Sequence, residues 1–367
     1  MRAARSRRLV GAGLAAVGVC LAAHVEACRD LEPRNADDSD GAAGSSGTDA
    51  TTTRPGTSSS SGGSSGAASA DASGSSSSSS GAPPPPFDGG PILPPGDTTV
   101  GPSDRPATLS VPTGYAGEPM PLVLLLPGTG DGADDVEALL KLGPTANEKG
   151  FFVLRASATD NAFGVSGWNA DQACCSYLPS PPDDSAYLVS LVQTAQSSVA
   201  VDPKRIFVVG HSGGGFMAYR LACDRADLFA GIVSLAGAAD DKATCTPAAP
   251  VHVLHMHGDA DLQASYTGGS FGTGLTYSTY SYPGAAQSVA IWAGYNGCAS
   301  ALTTGGTKEL VAESSPRANE TQVAAHGGCP AGASAELWTM QGAGHEPAFD
   351  PTFSTQVAEW LLARSKP

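Results

Sequence analysis

The chain has 367 residues and a formal net charge of −15. At about 150 residues per domain, this length allows one large domain with appendages or two small ones. Of the 23 aromatic residues only Phe87 precedes Tyr115, so the folding unit is expected over about 105–367. That unit carries 24 acidic and 13 basic residues, and this excess of negative charge argues against nucleic acid as a partner.

The N-terminus has the pattern of an export signal. Several arginines precede an apolar stretch over 9–23, and the small residue Ala27 comes just before Cys28. This predicts a signal peptide over 1–27 and a secreted protein. Removal of Cys20 with the signal leaves seven cysteines, and acylation of Cys28 as in bacterial lipoproteins would leave an even six for disulfides. A lipid-anchored form and a freely secreted form remain alternatives.

Residues 28–104 are dominated by Ser, Gly, Thr, Ala and Pro. Such a segment cannot bury enough apolar surface to offset its chain entropy, so we expect a disordered linker. The domain organisation predicted from the sequence is therefore a signal peptide, a linker and one catalytic domain over 105–367, which we expect to be monomeric.

Short apolar runs alternate with longer helical patterns across the folding unit. The runs read as buried parallel strands and lie at 121–128, 151–157, 205–210, 231–237, 251–258 and 336–342. Helix candidates lie at 134–147, 185–199, 214–227, 285–296 and 352–364. Residues 107–112 are expected to add an antiparallel edge strand. The alternation predicts an α/β fold with a doubly wound, mostly parallel sheet and helices on both faces, whose site lies at the carboxyl ends of the strands.

A nucleophile motif follows the run at 205–210. Residues 210–214 read Gly-His-Ser-Gly-Gly, which fills G-x-S-x-G between a strand and a helix. The sharp turn would expose the hydroxyl of Ser212 above the sheet. Serine requires a histidine to accept its proton, and His345 lies in the loop before the final helix, where the base is expected.

Two carboxylates compete for the role of the acid that orients this histidine. Asp259 and Asp261 both follow the run at 251–258, and spacing alone leaves them equal. Asp240 and Asp241, after the preceding strand, form a weaker third option.

Three histidines in and after the same run resemble a metal cluster only superficially. Strand alternation places His255 and His257 on one face and His252 on the other, which favours roles in the core. We therefore expect no metal and no cofactor.

Acyl transfer also requires two backbone N–H groups directed at the developing oxyanion. We expect one from Gly213, directly after the nucleophile. The second is assigned to Thr129, in the glycine-rich loop after the run at 121–128.

The motifs together resemble secreted α/β-hydrolases of the polyhydroxybutyrate depolymerase and feruloyl esterase family. The resemblance covers about 107–364 and rests on PLVLLLPGTG, GWNADQACC, DPKRIFVVGHSGGGFMAYRLACDRADLFAGIVSLAGA, HGDAD and GAGHE. It implies an α/β-hydrolase fold, with Asp261 as the acid and His345 as the base. The chain departs from the family at Pro127, where the family usually has His, and at Glu346, where it usually has Trp.

Six cysteines remain in the folding unit, at positions 174, 175, 223, 245, 298 and 329. Adjacent cysteines pair only under strain, so we expect Cys174 and Cys175 to take separate partners, with Cys223 and Cys245 the nearest candidates. The family resemblance implies a bond between Cys298 and Cys329. An exported protein would hold these cysteines as disulfides rather than as zinc ligands.

Trp168, in the GWNADQACC loop, is the candidate stacking surface for a sugar or an aromatic acyl group, and a role in the core is the alternative. The segment between the candidate acid and base is rich in aromatic residues and is expected to cover the pocket. Its aromatic residues include Tyr266, Phe271, Tyr277, Tyr280 and Tyr282.

The sequence therefore predicts a secreted serine esterase acting on ester-bearing polysaccharide, with feruloyl or acetyl esters of the plant cell wall as the expected substrates. A polyhydroxybutyrate depolymerase acting on polyester is one alternative. A surface-tethered binding protein on a hydrolase scaffold without catalysis is the other.

Overall fold

A computed structural model describes residues 93–175, 178, 180–240, 245–272, 279–312 and 320–367. The chain divides into two units, Met1–Ser77 and Ser78–Pro367, and all the described residues belong to the second. The expected signal peptide, Cys28 and most of the expected linker lie outside them. No helix in the described part of the chain is long and apolar enough to cross a membrane.

The described residues contain fourteen strands and six helices. The strands are β1 Gly96–Val100, β2 Ala107–Val111, β3 Met120–Leu126, β4 Phe152–Arg155, β5 Thr159–Asp160, β6 Ser166–Gly167, β7 Val201–His211, β8 Gly231–Leu235, β9 His252–Gly258, β10 Gly268–Gly272, β11 Thr279–Pro283, β12 Leu302–Lys308, β13 Thr321–His326 and β14 Ser334–Met340. The helices are α1 Ala133–Leu140, α2 Leu142–Lys149, α3 Asp184–Ser198, α4 Gly213–Asp224, α5 Ala285–Tyr295 and α6 Phe353–Leu362.

Ten of the strands form one sheet in the order β1-β2-β4-β3-β7-β8-β9-β14-β13-β12. The six from β4 to β14 in this order are parallel to one another. Antiparallel pairs extend the sheet at both edges. All six parallel strands were predicted from their apolar runs, because a strand buried on both faces is apolar at nearly every position.

Helices cover both faces of this sheet, as the sequence predicts. Alternation sends Leu122 and Leu124 of β3 into one core, together with buried side chains of α3, α4 and α5. Val123 and Leu125 enter the opposite core, with buried side chains of α1, α2 and α6. The two cores hold the carboxyl ends of the central strands at one edge, where the loops that follow them converge.

Two predicted boundaries were wrong. The helix expected over 134–147 is two helices, because the backbone turns through the left-handed region at Lys141 (φ 53°). The strand over 107–111 is not the edge of the sheet, since β1 pairs outside it, in residues assigned to the linker. β1 is mostly exposed and polar, so it carried no apolar signal. The folded part therefore begins before residue 105.

The segment between β9 and β14 holds a hairpin, a helix and two further strands. The hairpin β10–β11 packs against the first turn of α4, where the ring of Phe216 lies 5.6 Å from that of Tyr282 and 6.1 Å from that of Phe271. Tyr277 lies outside the described residues. The strands β12 and β13 extend the sheet beyond β14.

The six cysteines form three disulfides, and the pairing expected for the adjacent pair was wrong. Cys174 and Cys175 bond to each other, and Cys223 bonds to Cys245. Cys223 near the end of α4 and Cys245 after β8 have Cα atoms 5.6 Å apart, which is an ordinary distance for a disulfide. Each therefore satisfies the other and leaves none for the adjacent pair. The bond between Cys298 and Cys329, implied by the family resemblance, is present.

Candidate active site

Ser212 stands at a sharp turn between β7 and α4. Its backbone is in an unusual region for a residue with a side chain, with φ 51° and ψ −119°. The turn is held by the Ser212 amide, which donates to the carbonyl of Leu235 (2.8 Å). Neighbouring glycines make the turn possible, because a Cβ on Gly210 would lie 2.0 Å from the carbonyl oxygen of Gly214. The side chain of Ser212 is partly exposed at the carboxyl edge of the sheet.

Asp261 and His345 come together although they lie 84 positions apart in the sequence. They follow β9 and β14, which are parallel neighbours in the sheet. Nδ1 of His345 lies 2.7 Å from Oδ2 of Asp261, and both residues are buried. The carboxylate accepts a hydrogen bond from the N–H at Nδ1, so Nε2 of His345 is the unprotonated nitrogen and can accept a proton.

The structure separates the three candidate acids. Oδ1 of Asp259 accepts a hydrogen bond from the amide of Gly342 (2.6 Å), and this bond is exposed. Asp240 lies beside Tyr295 at the end of α5. Burial raises the pKa of the Tyr295 phenol, and the negative charge of Asp240 raises it further. Asp241 lies outside the described residues. Of the candidates described, Asp261 is the one bonded to His345.

Asp261 is bonded to two histidines. Nε2 of His257 lies 3.3 Å from the same Oδ2 that bonds to His345. Burial raises the pKa of Asp261, but the hydrogen bonds from His257 and His345 outweigh it and hold that pKa below its ordinary value. The carboxylate is therefore charged at neutral pH.

A buried chain of hydrogen bonds fixes the orientation of His257. The single proton on Nε2 of His257 is shared between Oδ2 of Asp261 (3.3 Å) and the carbonyl of Ala264 (2.8 Å), so its Nδ1 is an acceptor. That nitrogen accepts from Nε2 of His255 (3.0 Å), and Nδ1 of His255 in turn accepts from the hydroxyl of Tyr219 (2.9 Å). Burial lowers the pKa of His255 well below its ordinary value, so this histidine is neutral.

The core placement predicted for His255 and His257 is confirmed, whereas their connection to Asp261 was not predicted. The signal was present in the spacing, since His-x-His ends the strand directly before the loop that carries Asp261. His252 lies apart from this chain and contacts the hydroxyl of Ser334 (3.1 Å).

The loop carrying His345 is tied to the turn at Ser212. His211 is buried, and its Nε2 donates to the backbone carbonyl of His345 (3.1 Å). The rings of His211 and His345 have centroids 4.9 Å apart. Among the described residues no hydrogen bond joins the hydroxyl of Ser212 to His345.

The two residues expected to form an oxyanion hole lie in contact. A Cβ on Gly213 would lie 3.3 Å from the amide nitrogen of Thr129. Within the described part of the chain, neither the Thr129 amide nor the Gly213 amide donates a hydrogen bond. The hydroxyl of Thr129 is also buried there without a partner.

Trp168 does not present a stacking surface. Its side chain is completely buried, and its indole N–H donates to the carbonyl of Pro127 (3.0 Å), so it belongs to the core. The exposed aromatic nearby is Phe163, 89% exposed, between β5 and β6. This hairpin contacts the loop after β3 through the Gly130 amide, which donates to the carbonyl of Ser166 (2.9 Å). A two-strand hairpin of this size left no periodic signal in the sequence.

Comparison with known proteins identifies the fold. The model of the prolyl oligopeptidase family matches residues 187–267, less than a quarter of the chain, and spans Ser212 and Asp261 but not His345. An acetyl xylan esterase from Aspergillus awamori has a similar structure, with a TM-score of 0.51 at 16% identity over 72% of this chain and 98% of that chain. The large, mostly parallel sheet with helices on both faces is that of the α/β-hydrolase fold.

Two curated relatives have a higher sequence identity with this chain. A protein of Nocardia uniformis subsp. tsuyamanensis named "Putative esterase NocK" is 32% identical over 152 residues, 41% of this chain and 43% of that protein. Feruloyl esterase B of Piromyces equi is 26% identical over 246 residues, 66% of this chain and 42% of that protein. The chain thus spans less than half the length of each.

Proposed function

We propose that this chain is a serine esterase in which Ser212, His345 and Asp261 form the catalytic triad. The observation that carries the proposal is the buried bond from His345 to Asp261 at the same sheet edge as the strained turn of Ser212. That arrangement leaves Nε2 of His345 unprotonated and able to take the serine proton.

The reaction follows from these positions. The hydroxyl oxygen of Ser212 attacks the ester carbonyl while its proton passes to Nε2 of His345. The imidazolium that forms is stabilised by Asp261 and then donates its proton to the departing alcohol. Water, deprotonated by the same nitrogen, attacks the acyl-enzyme and releases the acid and the free serine.

The amides of Thr129 and Gly213 are proposed to bind the oxyanion of both tetrahedral intermediates. Support comes from their adjacency and from their lack of other acceptors in the described residues. Each such donor contributes about 10²- to 10³-fold in rate.

We propose feruloyl or acetyl esters of plant cell-wall polysaccharide as substrates and a location outside the cell. The name of the Piromyces equi relative supports the acyl group. Three disulfides fit an oxidising compartment. The export pattern in the sequence agrees with that location.

Hydrolysis of p-nitrophenyl acetate and methyl ferulate tests the mechanism. We expect turnover by the full chain, and we expect Ser212→Ala to lower kcat by about 10⁴-fold or more. The matched control is Ser190→Ala, which removes an exposed serine of α3 bonded only to the preceding turn and should leave turnover unchanged. Turnover that survives in Ser212→Ala would contradict the assignment of the nucleophile.

The substrate class is tested separately on natural polymers. Release of ferulate or acetate from arabinoxylan supports the proposal, whereas release of hydroxybutyrate from polyester film would replace it. A prolyl peptide amide serves as a third substrate because of the matched peptidase family. If no substrate is turned over, the chain is a binding protein on a hydrolase scaffold.

A further inference from the structure

Three acceptor side chains converge beside the turn that carries Ser212. They are Asp131 in the loop after β3, His211 at the end of β7, and Glu346 directly after His345. One ligand atom from each lies within 4.8 Å of the others. The three residues come from separate elements, so their convergence is a product of the fold and not of sequence proximity.

His211 offers a lone pair to this cluster. The residue is 1% exposed, and its Nε2 carries the proton because it donates to the carbonyl of His345. Its Nδ1 is therefore the unprotonated nitrogen, and no group in the described ranges donates to it. Neutral imidazole is the form that binds metals.

Among the described residues neither Asp131 nor Glu346 forms an ion pair with a lysine or an arginine, and neither side chain accepts a hydrogen bond. Three acceptors thus face one another with no donor between them, an arrangement that a bound cation would stabilise.

We propose that Asp131, His211 and Glu346 bind a divalent transition-metal cation beside the nucleophile. One imidazole nitrogen and two carboxylate oxygens form a donor set that suits Zn²⁺ better than Ca²⁺ or Mg²⁺, which prefer oxygen alone. Glu346 is exposed, so the remaining coordination positions open to solvent.

The cluster lies close to Ser212, next to Gly128. A Cβ on Gly128 would lie 2.7 Å from Oδ2 of Asp131, 3.3 Å from Cβ of Ser212 and 3.4 Å from Nδ1 of His211. A cation held by these ligands therefore lies beside Ser212, although its binding does not depend on the catalytic assignment.

Titration calorimetry with Zn²⁺ tests the proposal on the full chain after treatment with a chelator. We expect the wild type to bind one Zn²⁺ ion. The affinity should fall by at least about 10- to 100-fold in Asp131→Asn and in Glu346→Gln, because loss of an outer-shell partner alone costs that much. Asp160→Asn, which neutralises an exposed carboxylate outside the cluster, is the matched control and should bind as the wild type does.

Thermal unfolding provides a second readout, because a cation that binds only the native state raises the melting temperature. We expect Zn²⁺ to raise it in the wild type and the control by more than in the two cluster variants. Equal binding and equal stabilisation in all four proteins would place the ion elsewhere and overturn the proposal. Absence of binding in the wild type would overturn it too, and ester turnover measured on the same samples reports on the catalytic assignment independently.

Discussion

The carboxylate of Asp261 accepts hydrogen bonds from His345, the proposed base, and from His257. We expect loss of the second, in His257→Phe, to lower kcat/KM about 10- to 100-fold, because a hydrogen bond to a charged group contributes about 1.5–3 kcal/mol. His257→Gln keeps a side-chain donor and should restore part of the rate. Steady-state kinetics on p-nitrophenyl acetate measure both.

A pH profile distinguishes positioning of the acid from a general loss of structure. Removing the His257 bond removes one cause of the lowered pKa of Asp261. Without the His257 bond, the negative charge of Asp261 acts on His345 alone and favours the imidazolium, so the acidic limb of kcat/KM should move to higher pH in His257→Phe, and less so in His257→Gln. An unshifted limb with a uniformly lower rate would mean that His257 only supports the fold.

Single residues of the site differ in how far the sequence reveals them. Ser212 can be predicted from five consecutive residues, because the turn that exposes it has local steric requirements. Asp259 and Asp261 share one loop, and which of them turns inward depends on contacts with Gly342 and His345 from far along the chain. Trp168 was misassigned for the same reason, since its burial is decided by distant packing.

The connection from β7 to α4 depends on a close backbone crossing. A Cβ on Gly214 would lie 2.3 Å from the carbonyl oxygen of Leu126 in β3. We expect Gly214→Ala to lower the free energy of unfolding by about 3 kcal/mol, at the upper end of overpacking costs. Urea denaturation monitored by circular dichroism measures the change.

The control for that substitution is a glycine in α5. A Cβ on Gly294 meets nothing within 4 Å, so Gly294→Ala should stabilise the protein by about 0.5–1 kcal/mol through better helix propensity. Similar decreases in the free energy of unfolding in both variants would mean that the close backbone contact at Gly214 is not the cause of the decrease.

Elements with a strong apolar pattern were predicted, and those without one were missed. The six parallel strands are buried on both faces, so their runs were visible in the sequence. The outer strands β1 and β12 are largely exposed and rely on backbone pairing, which leaves no compositional trace. The break between α1 and α2 at Lys141 and the pairing of Cys174 with Cys175 also had no local signal.

The stability of the whole molecule should fall on mild acidification. Burial, followed by the charge of Arg364, lowers the pKa of His252 from 6.5 to about 4. Between these values the unfolded chain binds a proton that the native state does not, so the free energy of unfolding decreases as the pH falls from 6.5 to 4. His255, whose pKa is also depressed by burial, acts in the same direction.

Urea midpoints measured at pH 7, 5.5 and 4.5 test this dependence. His252→Asn retains a polar partner for Ser334 but does not titrate, so its midpoint should decline less between pH 6.5 and 4 than that of the wild type. Parallel declines in the two proteins would show that His252 does not contribute.

The neighbouring positions of β9 and β14 have a consequence for how such chains diversify. The chain between Asp261 and His345 leaves the sheet after β9 and ends with β14, which pairs with β9, while β12 and β13 pair outside β14. The contact of Asp261 with His345 therefore depends on the β9–β14 pair and not on the segment between those strands. Lengthening such an excursion costs little, because the entropy of closing a loop grows only slowly with its length. Evolution or an engineer could therefore exchange the segment between β9 and β14 as a cassette while Asp261 and His345 stay paired, and under the proposed function this would change the choice of substrate.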